Sequence, residues 1–377
     1  MIVLKKRKIK LRKNIVSILK AVGVIVCLIL IGYFIYAKEI SSFTKLGYSK
    51  EASKNILFSG NKDYVLSVGE NKTLNAAFES DYYNEKYLNN YAKIKYQDQE
   101  NIIKNINLLL KKGYSNSDVS IILAHGNDKD VSLFAQRERI KYLEEFYQYP
   151  YAKLSNYDRY ISYIDETGED EKTTVIHVNL NMDKEPYTDA IIVNEFSYDM
   201  LVNKFHGLSD SFEPEDLVTI SKEYTNDEEF LANKKAVNQL IQMFESAKID
   251  GFEMVVNSAY RSYSDQVEIA EFYRKWYGDN YVNNYVAKPG FSEHQTGLAF
   301  DIGSTSENVF ANSKEYKWMQ ENAYKYGFVM RFYKKAETIT GFRSEPWHYR
   351  YVGKEIAKYI HDNNITFEEY YVMFLDK

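Results

Sequence analysis

Hydrophobic residues form one long run near the N-terminus and shorter periodic segments over the rest of the chain. Residues 15–37 are apolar, aromatic or glycine except for Ser17 and Lys20. About twenty such residues cross a bilayer as a helix, so the run predicts a transmembrane anchor within residues 1–38. The preceding stretch, residues 5–13, is basic and holds no acidic residue, and basic flanks stay on the cytoplasmic side. We therefore expect a single-pass protein of the cell membrane whose catalytic domain is extracellular.

A cleaved signal peptide is the main alternative, because it also has a basic start and an apolar centre. The run is long for a signal peptide, and no pattern of small residues for cleavage precedes Lys38. Lipidation at Cys27 is disfavoured because the residues before it do not form a lipobox and the apolar run continues after it. Cys27 is also the single cysteine, which excludes an intrachain disulfide. An uncleaved anchor is the favoured interpretation.

Residues 39–210 predict a mainly helical extracellular region that ends in strands. Two segments, 45–57 and 111–123, share the order Gly, Tyr, Ser followed by apolar residues, which suggests a short internal repeat. Ser49 and Ser115 are suited to cap a helix N-terminus, and Asp118 would complete a capping box with Ser115. Near the end of the region, β-branched residues predict strands at 173–181 and 190–193, with His177 on the first of them.

Residues 211–377 predict an α+β domain, because helical and strand periodicities alternate along it. Predicted helices cover 227–248, 264–277, 314–326 and 354–361, and predicted strands cover 254–256, 298–302, 328–332 and 347–352. The strands would bring Arg261, Asp301 and His348 to one small sheet.

The donor types in this domain match a catalytic zinc site, which needs three protein ligands and an open position for water. His294, Asp301 and His348 are the candidate ligands, and Glu345 is the candidate base. Pro346 disfavours a helix between Glu345 and His348, since the residue before a proline is extended.

Two further expectations concern the same segments. Pro289 and Gly290 predict a turn ahead of His294. Trp347 and Tyr349 are expected on the opposite side of their segment from His348, packed in the core.

Three motifs carry a resemblance to a known family: SAYRSYSDQ, SEHQTGLAFD and EPWHYRYVG. In this order they closely resemble motifs of the VanY-like zinc D-alanyl-D-alanine carboxypeptidases of bacterial cell-wall metabolism. The resemblance covers roughly the second half of the chain and implies a compact antiparallel sheet flanked by helices. It also implies cleavage of C-terminal D-alanine from peptidoglycan stem peptides.

The resemblance further implies individual roles. His294, Asp301 and His348 would bind Zn²⁺, and Glu345 would activate the water. Arg261 would hold the substrate carboxylate or the developing oxyanion, with Gln266 and Ser292 lining the substrate site.

Charge excludes one class of partner. The first 38 residues hold 9 of the 48 basic residues and none of the 53 acidic ones, so the remainder carries a net charge of −14. That balance argues against nucleic-acid binding. Two alternatives stay open: an L,D-carboxypeptidase or dipeptidase with the same zinc chemistry, and a non-catalytic membrane-tethered module that binds the wall. Glu345 argues against the second, because a module that only binds needs no base.

Overall fold

The computed structural model describes residues 2–137, 140–225 and 227–376, with side chains described from Ile15 onward. The basic side chains predicted to face the cytoplasm lie before that point and so outside the described residues. The chain divides into two compact units, Met1–Glu144 and Glu145–Lys377. The predicted start of the peptidase domain at residue 211 stays a prediction; the compact unit that contains the main sheet starts earlier, at Glu145.

The first unit begins with one long helix, α1 (Ile2–Lys45). Its segment Ile15–Lys45 is long and apolar enough to cross a membrane. Large apolar side chains from Ile15 to Ile35 are exposed along it, as a helix surrounded by lipid requires. The predicted anchor is therefore a candidate by length, composition and exposure.

The rest of this unit is helical. Its helices are α2 (Lys50–Ser59), α3 (Lys62–Val68), α4 (Lys72–Glu79), α5 (Leu88–Tyr91), α6 (Ile102–Lys112), α7 (Asn116–His125) and α8 (Asp128–Phe134), with α9 (Leu143–Tyr147) at the point of division. The two predicted caps are confirmed: Ala52 N donates to Ser49 Oγ at 3.0 Å, and Ser115 forms a capping box with Asp118.

The second unit opens with α10 (Tyr157–Thr167) and α11 (Glu171–Asn179). The prediction of a strand at 173–181 is wrong, and His177 lies on α11. The side chain of Asp170 caps this helix by accepting from Thr173 N at 3.1 Å, and α11 is buried from Thr174 to Asn179. The cap and tertiary burial outweigh the weak strand preference of its β-branched residues.

Short strands lead into the peptidase motifs. The predicted strand at 190–193 is confirmed as β1 (Ile191–Val193), which pairs in parallel with β2 (His206–Leu208). Strand β3 (Leu217–Thr219) pairs antiparallel with β4 (Leu231–Asn233). Helix α12 (Lys234–Ile249) begins after β4 and not at 227, because Asn233 Oδ1 accepts from Lys235 N and Ala236 N and so fixes the helix start.

The main sheet has four antiparallel strands in the order β5–β6–β8–β7. The strands are β5 (Met254–Ser258), β6 (Ala299–Ser304), β7 (Phe328–Phe332) and β8 (Glu345–Tyr351). In the ladder, Asp301 lies directly opposite His348 on one side and Ser258 on the other. The predicted antiparallel sheet is confirmed, and its register brings two candidate ligands together.

Helices flank this sheet. They are α13 (Tyr263–Tyr285), which is kinked at Gly278, and α14 (Lys314–Asn322), α15 (Glu337–Thr340), α16 (Lys354–Asn363) and α17 (Phe367–Tyr370). One buried cluster joins α12 and α14 to the strands and includes Leu240, Met319, Phe300 and Tyr349. Burial of each large apolar side chain contributes about 1.5–3 kcal/mol.

Strand β8 is irregular where it carries the motif residues. Met330 and Phe332 on β7 are two residues apart, but their pairing partners on β8, Tyr349 and Glu345, are four residues apart. Such a bulge breaks the alternation of side chains between the two faces of a sheet. Tyr349 is buried as predicted, but the prediction that Trp347 lies in the core is wrong, since its side chain is 42% exposed.

Gly297 lies between the short helix Glu293–Thr296 and β6. Substituting it measures how closely the chain is packed at this connection. Gly297 has φ +68°, and an added Cβ would lie 3.0 Å from Leu217 Cδ2 and 3.3 Å from Asn233 N. We expect Gly297→Ala to cost about 2–4 kcal/mol from left-handed strain plus overpacking. The measurement is the thermal midpoint of the detergent-solubilised protein.

Gly251→Ala is the matched control, because Gly251 has φ +89° and nothing within 4 Å of an added Cβ. It should lose only the strain contribution, about 1–2 kcal/mol. Equal losses for the two variants would show that the packing around Gly297 does not matter.

Candidate metal centre

The three predicted ligands come from three different elements and meet in one place. His294 lies on a short 3₁₀ helix (Glu293–Thr296), Asp301 on β6 and His348 on β8. Asp301 Oδ1 is 3.4 Å from His294 Nε2 and 3.3 Å from His348 Nδ1. One donor atom from each residue lies within 4.8 Å of the other two. These are suitable separations for ligands that share a single ion.

The second nitrogen of each imidazole is occupied. His294 Nδ1 lies 2.6 Å from the carbonyl oxygen of Ala259, and His348 Nε2 lies 3.0 Å from Glu293 Oε2. Both partners are acceptors, so each ring donates from that nitrogen and keeps the other lone pair for the centre. Metal-binding histidines are usually held in this way.

Asp301 completes the donor set. Its Oδ2 accepts from Arg261 Nη2 at 3.0 Å, whereas its buried Oδ1 has no hydrogen-bond partner in the described part of the chain. A buried carboxylate oxygen without a donor is costly. Two imidazole nitrogens and this oxygen are the ligand types that Zn²⁺ takes at a catalytic site, so the residues present fit that ion.

The local charges give His294 and Asp301 their metal-binding protonation states and hold a proton on His348 instead. Burial, assisted by the Arg261 cation, lowers the pKa of His294 to about 4. Burial alone would raise the pKa of Asp301, but the neighbouring His294 and Arg261 hold it well below its usual range. Burial would lower the pKa of His348, yet the neighbouring carboxylates of Asp301 and Glu293 raise it to about 9. A cation at the centre would take the place of the proton on His348 Nδ1.

Glu345 lies next to the donors without being one of them. Its Oε2 is 4.0 Å from His348 Nδ1, because the bulge in β8 turns both side chains toward the same cavity. Burial raises the pKa of Glu345 to about 7. A carboxylate with a pKa near neutrality is suited to accept and return a proton.

All seven predicted site residues line one cavity of about 280 Å³. The guanidinium of Arg261 is fixed on three sides, since it donates to Ser258 Oγ at 3.0 Å, to Gln266 Oε1 at 3.2 Å and to Asp301. Gln266 Nε2 in turn donates to the carbonyl oxygen of Ala287 at 2.8 Å. Ser292 lines the wall and caps the 3₁₀ helix that carries His294.

Sequence reasoning missed a buried charge network behind His348. Glu293 accepts from Arg331 Nε at 2.8 Å and Arg350 Nη1 at 3.1 Å as well as from His348. Arg331 also forms a bidentate pair with the buried Glu368, at 2.7 and 2.9 Å. Although burial would raise the pKa of Glu293, the two arginines keep it lowered. The available signal was an arginine inside each of two strands, Arg331 in FVMRF and Arg350 in EPWHYRY.

The chain is similar in sequence to known proteins. The model of the VanY family, described as D-alanyl-D-alanine carboxypeptidase, matches residues 229–354. The putative carboxypeptidase YodJ of Bacillus subtilis is 38% identical over 221 residues, which cover 55% of this chain and 81% of that protein. This chain belongs to the VanY family.

Two solved structures are similar to this VanY family member. The LdcB LD-carboxypeptidase has 40% sequence identity and covers 50% of this chain and 92% of its own, with a TM-score of 0.45. A mutant of the vancomycin resistance D,D-pentapeptidase VanY in complex with Zn(II) has 32% identity, covers 46% and 99% of the two chains and has a TM-score of 0.40.

Family membership confirms the main expectations from the sequence. This VanY family member is a zinc-dependent metallopeptidase of the D-alanyl-D-alanine carboxypeptidase type. The roles of individual residues stay proposals.

The contact between Glu293 and His348 predicts a loss of metal affinity when it is broken. Glu293→Gln removes the charged acceptor that fixes the ring of His348, so zinc should bind about 10–100-fold more weakly. Competition of the purified protein with a chromophoric chelator measures this affinity.

Glu368→Gln is the control, because Glu368 supports Arg331 from the other side and does not touch His348. It should lower the thermal midpoint but keep the zinc affinity close to that of the wild type. If both variants lost zinc equally, general weakening of the network would explain the result and not the contact to His348.

Proposed function

We propose that the protein hydrolyses the peptide bond before the C-terminal D-alanine of peptidoglycan stem peptides. The observation that carries the proposal is the position of Glu345, whose partly buried carboxylate lies 4.0 Å from His348 Nδ1 and in the same cavity as the three donors. A binding module has no need of a base there. The family description supplies the type of peptide.

In this mechanism His294 Nε2, His348 Nδ1 and a carboxylate oxygen of Asp301 would hold the zinc. When bound, the ion would supply Lewis acidity. As the oxygen of the attacking water bonds to the scissile carbonyl carbon, Glu345 takes a proton from that water. The same residue then delivers the proton to the leaving nitrogen as the carbon–nitrogen bond breaks.

Arg261 faces the substrate in this mechanism. Its guanidinium is held by Ser258, Gln266 and Asp301, so it is pre-oriented on the cavity wall. A cation fixed beforehand stabilises a terminal carboxylate or a developing oxyanion without reorganising during the reaction.

Gln266 and Ser292 have supporting roles in the proposal. Both polar atoms of the Gln266 side chain are engaged, one with Arg261 and one with the Ala287 carbonyl. Gln266 is therefore assigned the orientation of Arg261. Ser292 is assigned to the cavity wall, where its hydroxyl also caps the turn that carries His294.

The cellular location is also a proposal. The exposed apolar helix Ile15–Lys45 would anchor the chain in the membrane, with the basic N-terminus in the cytoplasm. The catalytic unit would then lie outside, where stem peptides occur.

Parallel assays on a stem pentapeptide and a stem tetrapeptide test the activity. With zinc added, the protein should release D-alanine from the pentapeptide and leave the tetrapeptide intact. Mass and chirality identify the released residue. Release from the tetrapeptide alone would establish L,D specificity, and release of a dipeptide would establish a dipeptidase.

Glu345→Gln is the matched variant for this assay. Losing the base should reduce turnover of the pentapeptide by about 10²–10⁴-fold, while zinc content stays stoichiometric because Glu345 is not a ligand. Loss of zinc from the variant would place Glu345 among the ligands. Full turnover would remove it from the mechanism.

Protease added to intact cells tests the topology. A tag fused before residue 1 should be protected, whereas a tag after residue 377 should be removed, because the two ends lie on opposite sides of the membrane. Protection of both tags would contradict the anchor proposal, and recovery of a shortened chain in the medium would favour a cleaved signal peptide.

A further inference from the structure

Two lysine side chains stand beside one wall of the catalytic cavity. Lys204 Nζ lies 4.8 Å from the centre of the Phe342 ring, and Phe342 lines the cavity. Lys288 Nζ lies 4.3 Å from the centre of the Tyr187 ring. That ring packs edge-on, with centroids 5.0 Å apart, against Phe291, a second lining residue. Each lysine therefore lies next to an aromatic ring that lines the cavity or packs against its lining.

Within the described ranges no carboxylate forms an ion pair with Lys204 or Lys288. Lys204 is only half exposed, and burial, followed by repulsion from Lys288, lowers its pKa. An ammonium group that is half buried and unpaired is costly. The cost is unexpected in a chain whose portion beyond residue 38 carries a net charge of −14, where carboxylates are abundant.

The backbone holds both lysines in fixed positions. Lys204 lies in a tight turn in which Asn203 Oδ1 accepts from Phe205 N at 2.9 Å and from His206 N at 3.0 Å. The carbonyl oxygen of Lys204 accepts from Tyr187 N at 2.8 Å. The backbone at Lys204 is thus fixed to the segment that carries Tyr187, the ring that Lys288 covers.

A backbone hydrogen bond links the loop that carries Lys288 to β2, the strand that follows Lys204. Leu208 N, on β2, donates to the carbonyl oxygen of Gly290 at 2.6 Å. The side chain of Lys204 also covers Gly341, where an added Cβ would lie 3.2 Å from Lys204 Cδ. The aliphatic part of Lys204 is therefore packed, and only its charged end needs a partner.

We propose that Lys204 and Lys288 form a subsite for a second carboxylate of the peptide substrate, on the N-terminal side of the bond that is cleaved. The inference rests on the proposed function. A cavity of about 280 Å³ is at the small end for ligand sites, so a five-residue stem peptide extends beyond it. The lysines do not line the cavity themselves, and they meet the part of the substrate that lies outside it.

The partner group is a carboxylate that the peptide carries before the cleaved bond. As the free acid this group is charged, and as the carboxamide it is neutral. The subsite therefore discriminates between the two kinds of stem peptide. At the cleaved end of the peptide, the terminal carboxylate or the developing oxyanion remains assigned to Arg261, which is fixed beside Asp301.

Two pentapeptides that differ only at this carboxylate test the proposal. The zinc-loaded wild-type protein should have a kcat/KM about tenfold higher for the free acid than for the amide, mainly through KM, as expected for partly desolvated ion pairs. The preference should shrink as salt is raised, because screening weakens exposed charges. In the double variant Lys204→Met, Lys288→Met the preference should fall to about one.

Matched variants separate charge from structure. Lys204→Arg with Lys288→Arg keeps both charges and should keep most of the preference. Lys222→Met removes an exposed lysine that pairs with Glu229 and should leave the preference at its wild-type value. Lys288 is exposed, so Lys288→Met alone should fold even if the double variant does not, and should lower the preference to about threefold.

The outcomes are distinct. Equal kcat/KM for the two peptides in the wild type, or a full preference in the methionine variants, would overturn the subsite. Failure of the wild type to cleave either peptide with zinc bound would overturn the proposed function instead.

Discussion

The carboxylate of Glu293 lies under the centre, and the surrounding structure depends on its charge. It accepts from His348, Arg331 and Arg350, and all four side chains are buried. None of these charges could stay inside the protein alone, since an isolated buried ion is strongly unfavourable. Glu293, together with the Glu368 that pairs with Arg331, offsets the charges of the two arginines, and its contact with Nε2 of His348 leaves Nδ1 facing the cavity.

This network links the metal centre to distant parts of the chain. Arg331 brings in Glu368 from α17, and Arg350 donates to the carbonyl oxygens of Tyr198 and Met200. The buried charges behind the centre are therefore stabilised by α17 and by the segment that precedes β2. The segment 145–210 packs in the same compact unit as the sheet, and the contacts of Arg350 give one reason for that.

The irregularity of β8 gives the site its chemistry. In a regular strand Glu345 and His348 would point to opposite faces, because they are three residues apart. The bulge between Glu345 and Tyr349 turns Glu345 and His348 toward the same cavity, with Pro346 at a position where no backbone N–H is needed. Burial then raises the pKa of Glu345, while the charges around Asp301 keep that carboxylate ionised. Two carboxylates that line one cavity thus differ in pKa.

Local signals in the sequence determined the candidate site and much of the fold. Short motifs identified the candidate donors His294, Asp301 and His348. Residues close in the chain also determine the helix caps at Ser49 and Ser115 and the strand that contains Pro346. The long apolar run was equally visible, because it depends on composition alone.

Tertiary structure decided the features that depend on distant partners. The segment 173–181 is helical because packing and the Asp170 cap outweigh β-branched propensity. Trp347 is exposed because pairing with β7 introduces a bulge. Glu293 became part of the centre because Arg331, 38 residues away, and Arg350, 57 residues away, converge on it. A sequence pattern records which residues are charged, but only the folded chain brings each buried charge to its counter-ion.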